Sequence, residues 1–267
     1  MHAVILAKML ELCYYRFMKI VSSSICKIGG REYNQDFCAS SQDENAACFI
    51  VCDGLGSYVG SEVASRLCAT KIVGEFEQIR SLDPSRAVRP NFVDAYVKNA
   101  HDYVCTFKEK NPQISSSCTT VSCVATDGTN TTIAHIGDTR IYFFRDFSLA
   151  YQSKDHSLSQ AAVEQGLISL RDIRTHKDQN KLTRVLGSSY YAPPDIDVLQ
   201  KPLQPGDAFI LCSDGFWEYV YEEEMESDLR SCGGDPAVAI ELMETRLLNR
   251  ITKYNDNYTV IVALVEE

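Results

Sequence analysis

Cys48-Phe49-Ile50-Val51-Cys52-Asp53-Gly54 is a continuous apolar run that ends in an acid and a glycine. A run of this length, apolar at consecutive positions, reads as a strand buried on both faces. It delivers a carboxylate to its own end. The pattern recurs. Asp207 to Cys212 reads as a second buried strand and closes in Ser213-Asp214-Gly215. Thr131 to Ile136 leads into Gly137-Asp138, and Asn255-Asp256-Asn257 precedes a last strand from Tyr258 to Val265. One strand followed by Asp-Gly is a common turn. Four such acids on buried strands need another reason, because a turn does not require an ionised group. Gathering anions costs Coulomb energy unless cations neutralise them.

Working outward, Gly60 to Ile79 has helical spacing, with Val63, Leu67, Ala69, Ile72, Val73 and Phe76 on its apolar face. Pro84 and Pro90 interrupt the chain. A second amphipathic helix is expected with Asn91 as its cap and Phe92, Tyr96, Ala100, Val104 and Phe107 on one side, ending at Asn111-Pro112. Thr119 to Thr126 reads as a strand, and Asp127-Gly128-Thr129-Asn130 as a hairpin turn. The return strand from Thr131 is expected to run through Gly137-Asp138 into Ile141-Tyr142-Phe143-Phe144. Ser157 to Gln165 reads as a helix stopped by Gly166. Residues 166–190 are polar and irregular, a loop or flap. Pro236 to Arg250 is amphipathic.

The chain has 267 residues, 45% of them hydrophobic, and no charge block, repeat or low-complexity tract, so it reads as one domain. A strand-like segment begins near Met18. Residues 1–17 form an extension of unknown role; Lys8, Glu11 and Arg16 make it too charged to span a membrane, and it lacks the pattern of a signal peptide. The formal net charge of −10 gives no basic footprint for nucleic acid and no attraction to an anionic membrane surface. The eleven cysteines sit mostly inside apolar runs and include no Cys-x-x-Cys pair, which points to a reducing cytoplasm rather than to disulfides or zinc. The five histidines form no metal-ligand pattern. His101 reads as structural on its helix, His135 as hydrogen-bonding within a sheet and His156 as architectural. His176 lies in the flap and His2 in the extension.

Eight blocks then occur in a telling order: Arg31-Glu32-Tyr33-Asn34-Gln35-Asp36, Asp53-Gly54-Leu55-Gly56, Ser117-Cys118-Thr119-Thr120, Gly137-Asp138-Thr139-Arg140, Asp155-His156-Ser157, Leu182 to Gly187, Cys212-Ser213-Asp214-Gly215 and Asp256-Asn257. From about residue 18 to 267 the chain resembles the metal-dependent protein phosphatases of type 2C, above all their single-domain bacterial members. The resemblance implies an α+β fold, a four-layer α-β-β-α sandwich of two mostly antiparallel sheets flanked by helix pairs, with the metal centre at one edge. It implies two Mg2+ or Mn2+ ions bridged by Asp53, with the Gly54 carbonyl, Asp214 and Asp256 as further ligands. Asp36 matches an acid acting through metal-bound water, and Asp138, with Asp214, one that holds a third, weaker ion. Arg31 matches the arginine that grips the substrate phosphate. A bridging water then attacks phosphorus, and no covalent phosphoenzyme forms.

The resemblance therefore implies hydrolysis of phosphoserine and phosphothreonine in proteins, reversing a cognate serine/threonine kinase, by a monomeric cytoplasmic enzyme with no nucleic-acid or membrane partner. Two positions depart from the pattern. Tyr58 stands where a proton-donating histidine is usual, and is carried forward as a substrate contact; a tyrosine with a pKa of about 10 is a poor acid near neutrality. Gln35 stands where animal members have a metal-binding glutamate. Tyr58 also motivates the alternative of a weakly active or inactive phosphatase-like domain that binds phosphopeptides.

Overall fold

The computed structural model describes residues 19–56 and 58–266. The extension at 1–17, its boundary at Met18 and His2 lie outside the described residues. Two five-stranded sheets form the centre. One has the order β1 (Lys19–Lys27), β10 (Tyr258–Glu266), β9 (Ala208–Cys212), β6 (Arg140–Arg145), β7 (Ser148–Gln152). The other has the order β2 (Asp36–Gln42), β3 (Ala47–Asp53), β4 (Val121–Thr126), β5 (Thr131–Ile136), β8 (Asp195–Val198). All paired strands are antiparallel.

Strand β3 shows why its sequence has no polar side. Cys48, Ile50 and Cys52 pack against helices α1 (Ser61–Arg80) and α3 (Pro90–Lys110), which are bridged by the single turn α2 (Pro84–Ala87). Ala47, Phe49 and Val51 point the other way and meet Phe143, Phe209, Leu211 and Ile261 of the facing sheet. Alternate side chains of one strand thus serve two cores. The outer face of the β1-β10-β9-β6-β7 sheet packs on α6 (Glu222–Ser231) and α7 (Pro236–Leu248), where Met225, Leu229, Ile240 and Met243 are buried. The result is the expected four-layer α-β-β-α sandwich. Among the described residues no helix is long and apolar enough to cross a membrane, and the ten described cysteines are free.

Several local expectations hold. Asp127 makes the hairpin turn by accepting the N–H groups of Thr129 at 2.9 Å and Asn130 at 2.6 Å. Ser157 caps α4 (Leu158–Glu164) through the Gln160 N–H at 3.2 Å, and Gly166 adopts a positive φ of 71° beyond it.

Others are corrected. The return strand does not continue past Ile136; β5 and β6 belong to different sheets. The chain crosses between them at Gly137, with φ 106°, where a Cβ would lie 2.5 Å from Thr120 Cγ2. Two apolar strands in tandem read as one because hydrophobicity carries no mark of a change of sheet. Asn91 is not a cap: α3 starts at Pro90, whose fixed φ and missing N–H suit a first helical position. Strand β4 begins at Val121, while Thr119 makes isolated bridges to Gly54 and Leu186. The expected irregular stretch at 166–190 contains a 3-10 helix, Leu170–Thr175, whose Ile173 is buried.

His156 is architectural, as expected. Its Nδ1 accepts the Gly137 N–H at 3.0 Å and its Nε2 meets Asp195 at 3.0 Å. The side chain of His135 does not hydrogen-bond within the sheet. Among the described residues both of its ring nitrogens are buried without a hydrogen-bond partner, with the ring 4.8 Å from that of His156. Burial pushes its pKa down to about 3, so the ring stays neutral.

One buried assembly ties the layers together. Arg140 forms a bidentate pair with Asp155 at 2.8 and 2.7 Å, with both side chains almost fully enclosed. Its guanidinium lies 3.5 Å from the Trp217 ring, and the Trp217 indole N–H donates to the Asp138 carbonyl at 2.9 Å. Removing one partner of such a pair strands a buried charge, at a cost of about 3–5 kcal/mol. Asp155→Ala is therefore expected to lower the denaturation midpoint sharply, and a joint Arg140→Met, Asp155→Leu replacement to recover most of that loss. An unchanged midpoint in Asp155→Ala would refute this role.

Candidate metal centre

The acids reach their places through the two sheets. Asp36 opens β2 and Asp53 closes β3, and the two are register partners. The end of β3 is pinned from both sides: the Asp53 N–H donates to Thr120 Oγ1 at 2.9 Å, and its carbonyl accepts the Thr120 N–H at 2.8 Å. Gly54 must be glycine, since a Cβ there would lie 2.5 Å from the Ser61 carbonyl oxygen. Across the sandwich, Asp214 starts the short helix α5 (Asp214–Trp217), and its carboxylate accepts the Gly215 N–H at 2.6 Å. Asp256 precedes β10, and its Oδ1 accepts the Asn257 N–H at 2.8 Å.

Asn257 knits the neighbouring loop to this strand. Its side-chain amide donates to the carbonyls of Ile28 at 2.7 Å and Tyr33 at 2.9 Å, and its Oδ1 accepts the Gln35 N–H at 2.9 Å. The loop held in this way carries Arg31, whose Nη2 lies 2.5 Å from Asp256 Oδ2.

A cleft of about 350 Å³ results. Arg31, Asp53, Gly54, Asp138, Asp214 and Asp256, all anticipated from the sequence, line it together. Two anticipated residues are placed elsewhere. Asp36 sits buried behind the cleft wall, where Ser213 Oγ donates to one of its oxygens at 2.7 Å and the other has no partner among the described residues. Tyr58 is exposed and does not line the cleft; its carbonyl accepts the Gln35 side-chain amide at 3.3 Å. The sequence reading missed Thr120, Asn180 and Leu182 in the wall, Ser213 and Asn257 in support, and Glu218 nearby. Thr120, Leu182, Ser213 and Asn257 lie inside the quoted blocks and could have been singled out there. Glu218, four residues after Asp214, could have been found from that one-turn spacing; Asn180 leaves no mark in the sequence.

Desolvation followed by mutual repulsion raises the carboxylate pKa values. Loss of water holds Asp53 well above the usual carboxylate range, with Asp36, Asp214, Asp138 and Asp256 pushing the same way. Asp138 is raised by burial and then by Asp214. Asp36 is pushed up to about 7 by burial, against the hydrogen bond from Ser213. Asp214 rises to about 6 through burial and then Asp256, and Glu218 to about 8 through burial, Asp214 and Asp256.

The donor set fits a hard divalent cation: the cleft offers carboxylate and carbonyl oxygens and no cysteine or histidine. Among the described residues, no three His, Cys, Asp or Glu side chains are gathered tightly enough to hold an ion by themselves. The arrangement is an open wall of acids, which suits Mg2+ or Mn2+, ions that keep several waters and take one or two carboxylates together with substrate oxygens.

A family profile described as protein phosphatase 2C matches residues 27–235. The serine/threonine phosphatase stp of Listeria monocytogenes serotype 4b is 26% identical over 202 residues, covering 75% of this chain and 79% of that protein. Among solved structures, the serine/threonine phosphatase Stp1 from Staphylococcus aureus superposes with a TM-score of 0.79 at 25% identity, over 94% of this chain and 97% of that one. The catalytic domain of the serine/threonine protein phosphatase PstP, solved with two manganese ions, gives a TM-score of 0.77 at 24% identity, over 94% and 100% of the two chains.

A carboxyl group whose pKa is raised by folding binds its proton more tightly in the folded state, so stability falls as pH rises through that pKa. With Asp214 at about 6 and Asp36 at about 7, chelated protein is expected to gain thermal stability as the pH falls from about 8 to about 6. Cations must displace the same protons, so apparent Mn2+ affinity should weaken as the pH falls through that window and strengthen as it rises. Asp53→Asn removes one repelling charge and should raise the melting temperature in chelator while abolishing the Mn2+-induced increase. A chelated wild-type protein that becomes less stable as the pH falls through this window would contradict the electrostatic reading.

Proposed function

The chain belongs to the protein phosphatase 2C family, and on that premise we propose that it hydrolyses phosphoserine and phosphothreonine in proteins with the help of divalent cations. The observation that carries this reading is the meeting of Asp53, Asp138, Asp214 and Asp256 with Arg31 in one cleft. Asp53, the Gly54 carbonyl, Asp214 and Asp256 would hold two Mg2+ or Mn2+ ions, Asp138 with Asp214 a third and weaker one, and Asp36 would act from behind through water. Such ions, when bound, polarise phosphoryl oxygens and acidify water at neutral pH.

The protein's own groups do the positioning. Arg31 is aimed by its contact with Asp256, leaving the rest of its fork to take phosphoryl oxygens. The backbone around Asp53 and Gly54 is fixed by bonds to Thr120 and Gln35, so the cleft need not reorganise as charge moves during the reaction. Tyr58, exposed beside the wall residues Leu55 and Gly56, would touch the polypeptide around the phosphoresidue rather than donate a proton. We assign the phosphatase domain to residues 18–267, with a flap at about 166–190. We further propose that it works as a cytoplasmic monomer opposite a serine/threonine kinase.

Hydrolysis of a phosphothreonine peptide with Mn2+ tests the reading. Turnover should disappear with chelator and return with added metal. Asp214→Asn should lower it by about a hundredfold or more with little change in fold. Arg31→Ala should chiefly raise KM. Tight phosphopeptide binding without turnover would instead support the binding-module alternative.

A further inference from the structure

We infer that Glu218 is a positioning residue that holds the 176–180 segment over the cleft for protein substrates, a role that rests on the phosphatase reading. Glu218 follows directly on α5, the helix that begins with Asp214, so one short element serves both the acid cluster and the flap. Its Oε1 accepts the side-chain amide of Gln179 at 2.6 Å. The next residue, Asn180, lines the cleft, as does Leu182.

The flanks of the segment are anchored independently. Upstream, Arg174 reaches the Val220 carbonyl and pairs with Glu222 at 2.7 Å. Downstream, the Lys181 carbonyl accepts the Leu158 N–H at 3.0 Å, and the Thr183 N–H donates to the His156 carbonyl at 2.8 Å. Between these anchors, the described hydrogen bonds of residues 176–180 are local except for the one from Gln179 to Glu218. Helix α5 cannot easily drift, because Trp217 is held by the Asp138 carbonyl and stacks on Arg140. Glu218 is thus a fixed post, and Gln179 ties the segment to it.

Asn180 would meet the chain flanking the phosphoresidue more than the phosphate itself, which belongs to Arg31 and the acids. The consequence is a difference between large and small substrates. A hydrogen bond of this kind is strong enough that its loss should raise KM for a phosphothreonine peptide about tenfold. Hydrolysis of p-nitrophenyl phosphate, which has no flanking chain, should be unaffected.

The test measures KM and kcat for both substrates, and the Mn2+ requirement, in Glu218→Ala, Gln179→Ala, the double variant and Glu218→Gln. Both alanine variants should raise peptide KM with kcat, small-substrate kinetics and the Mn2+ requirement unchanged. The double variant should be no worse than either single one. Glu218→Gln keeps an acceptor for Gln179 and should behave as wild type. An unchanged peptide KM in Glu218→Ala, additive losses in the double variant, or a parallel fall in small-substrate turnover and metal response would overturn the role. Wild-type protein that hydrolyses neither substrate would overturn the phosphatase reading itself, and the role of Glu218 with it.

Discussion

Carboxylates drawn from distant parts of the chain share one partly desolvated cleft, and their repulsion is the constraint to which the surrounding structure answers. Asp53 is opposed by Asp36, Asp138, Asp214 and Asp256 at once. A flexible chain would relieve that repulsion by moving the acids apart. Here the backbone does not yield, because each acid sits at the end of a strand or at a chain crossing already fixed by the sheets. The packing of three cores therefore supplies the force that holds like charges together.

Close backbone contacts convert that general rigidity into a defined site. Gly54 and Gly215 let neighbouring backbone segments approach where any side chain would collide; at Gly215 a Cβ would lie 2.0 Å from the Asn257 carbonyl oxygen. Asn257 fastens the Arg31 loop to β10, and Trp217 fastens α5 to Asp138. A wall of acids built in this way is pre-organised but unfavourable on its own, the usual tension between stability and activity.

How much of this was legible in the sequence followed from burial. Strands β3 and β9 are buried on both faces, so their sequences are uninterrupted apolar runs, and the acids at their ends stood out. Edge strands β7 and β8 are short and half-exposed, with polar residues such as Ser148, Gln152, Asp195 and Asp197, and gave no strand signal. Helix α6 opens with three glutamates and buries only Met225, Asp228 and Leu229, too narrow a stripe to notice. The crossing at Gly137, the buried ring of His135 and the meeting of Glu218 with Gln179 are products of tertiary packing. No local pattern encodes them. Tyr58 shows the converse: a position singled out by motif resemblance is exposed and does not line the cleft.

The central claim is that these acids converge in order to hold cations. Anomalous diffraction from crystals grown with Mn2+ tests it most directly. Strong peaks inside the cleft, bounded by Asp53, Asp214 and Asp256, are the expected result. Peaks only at surface carboxylates, with the cleft empty at saturating Mn2+, would contradict it.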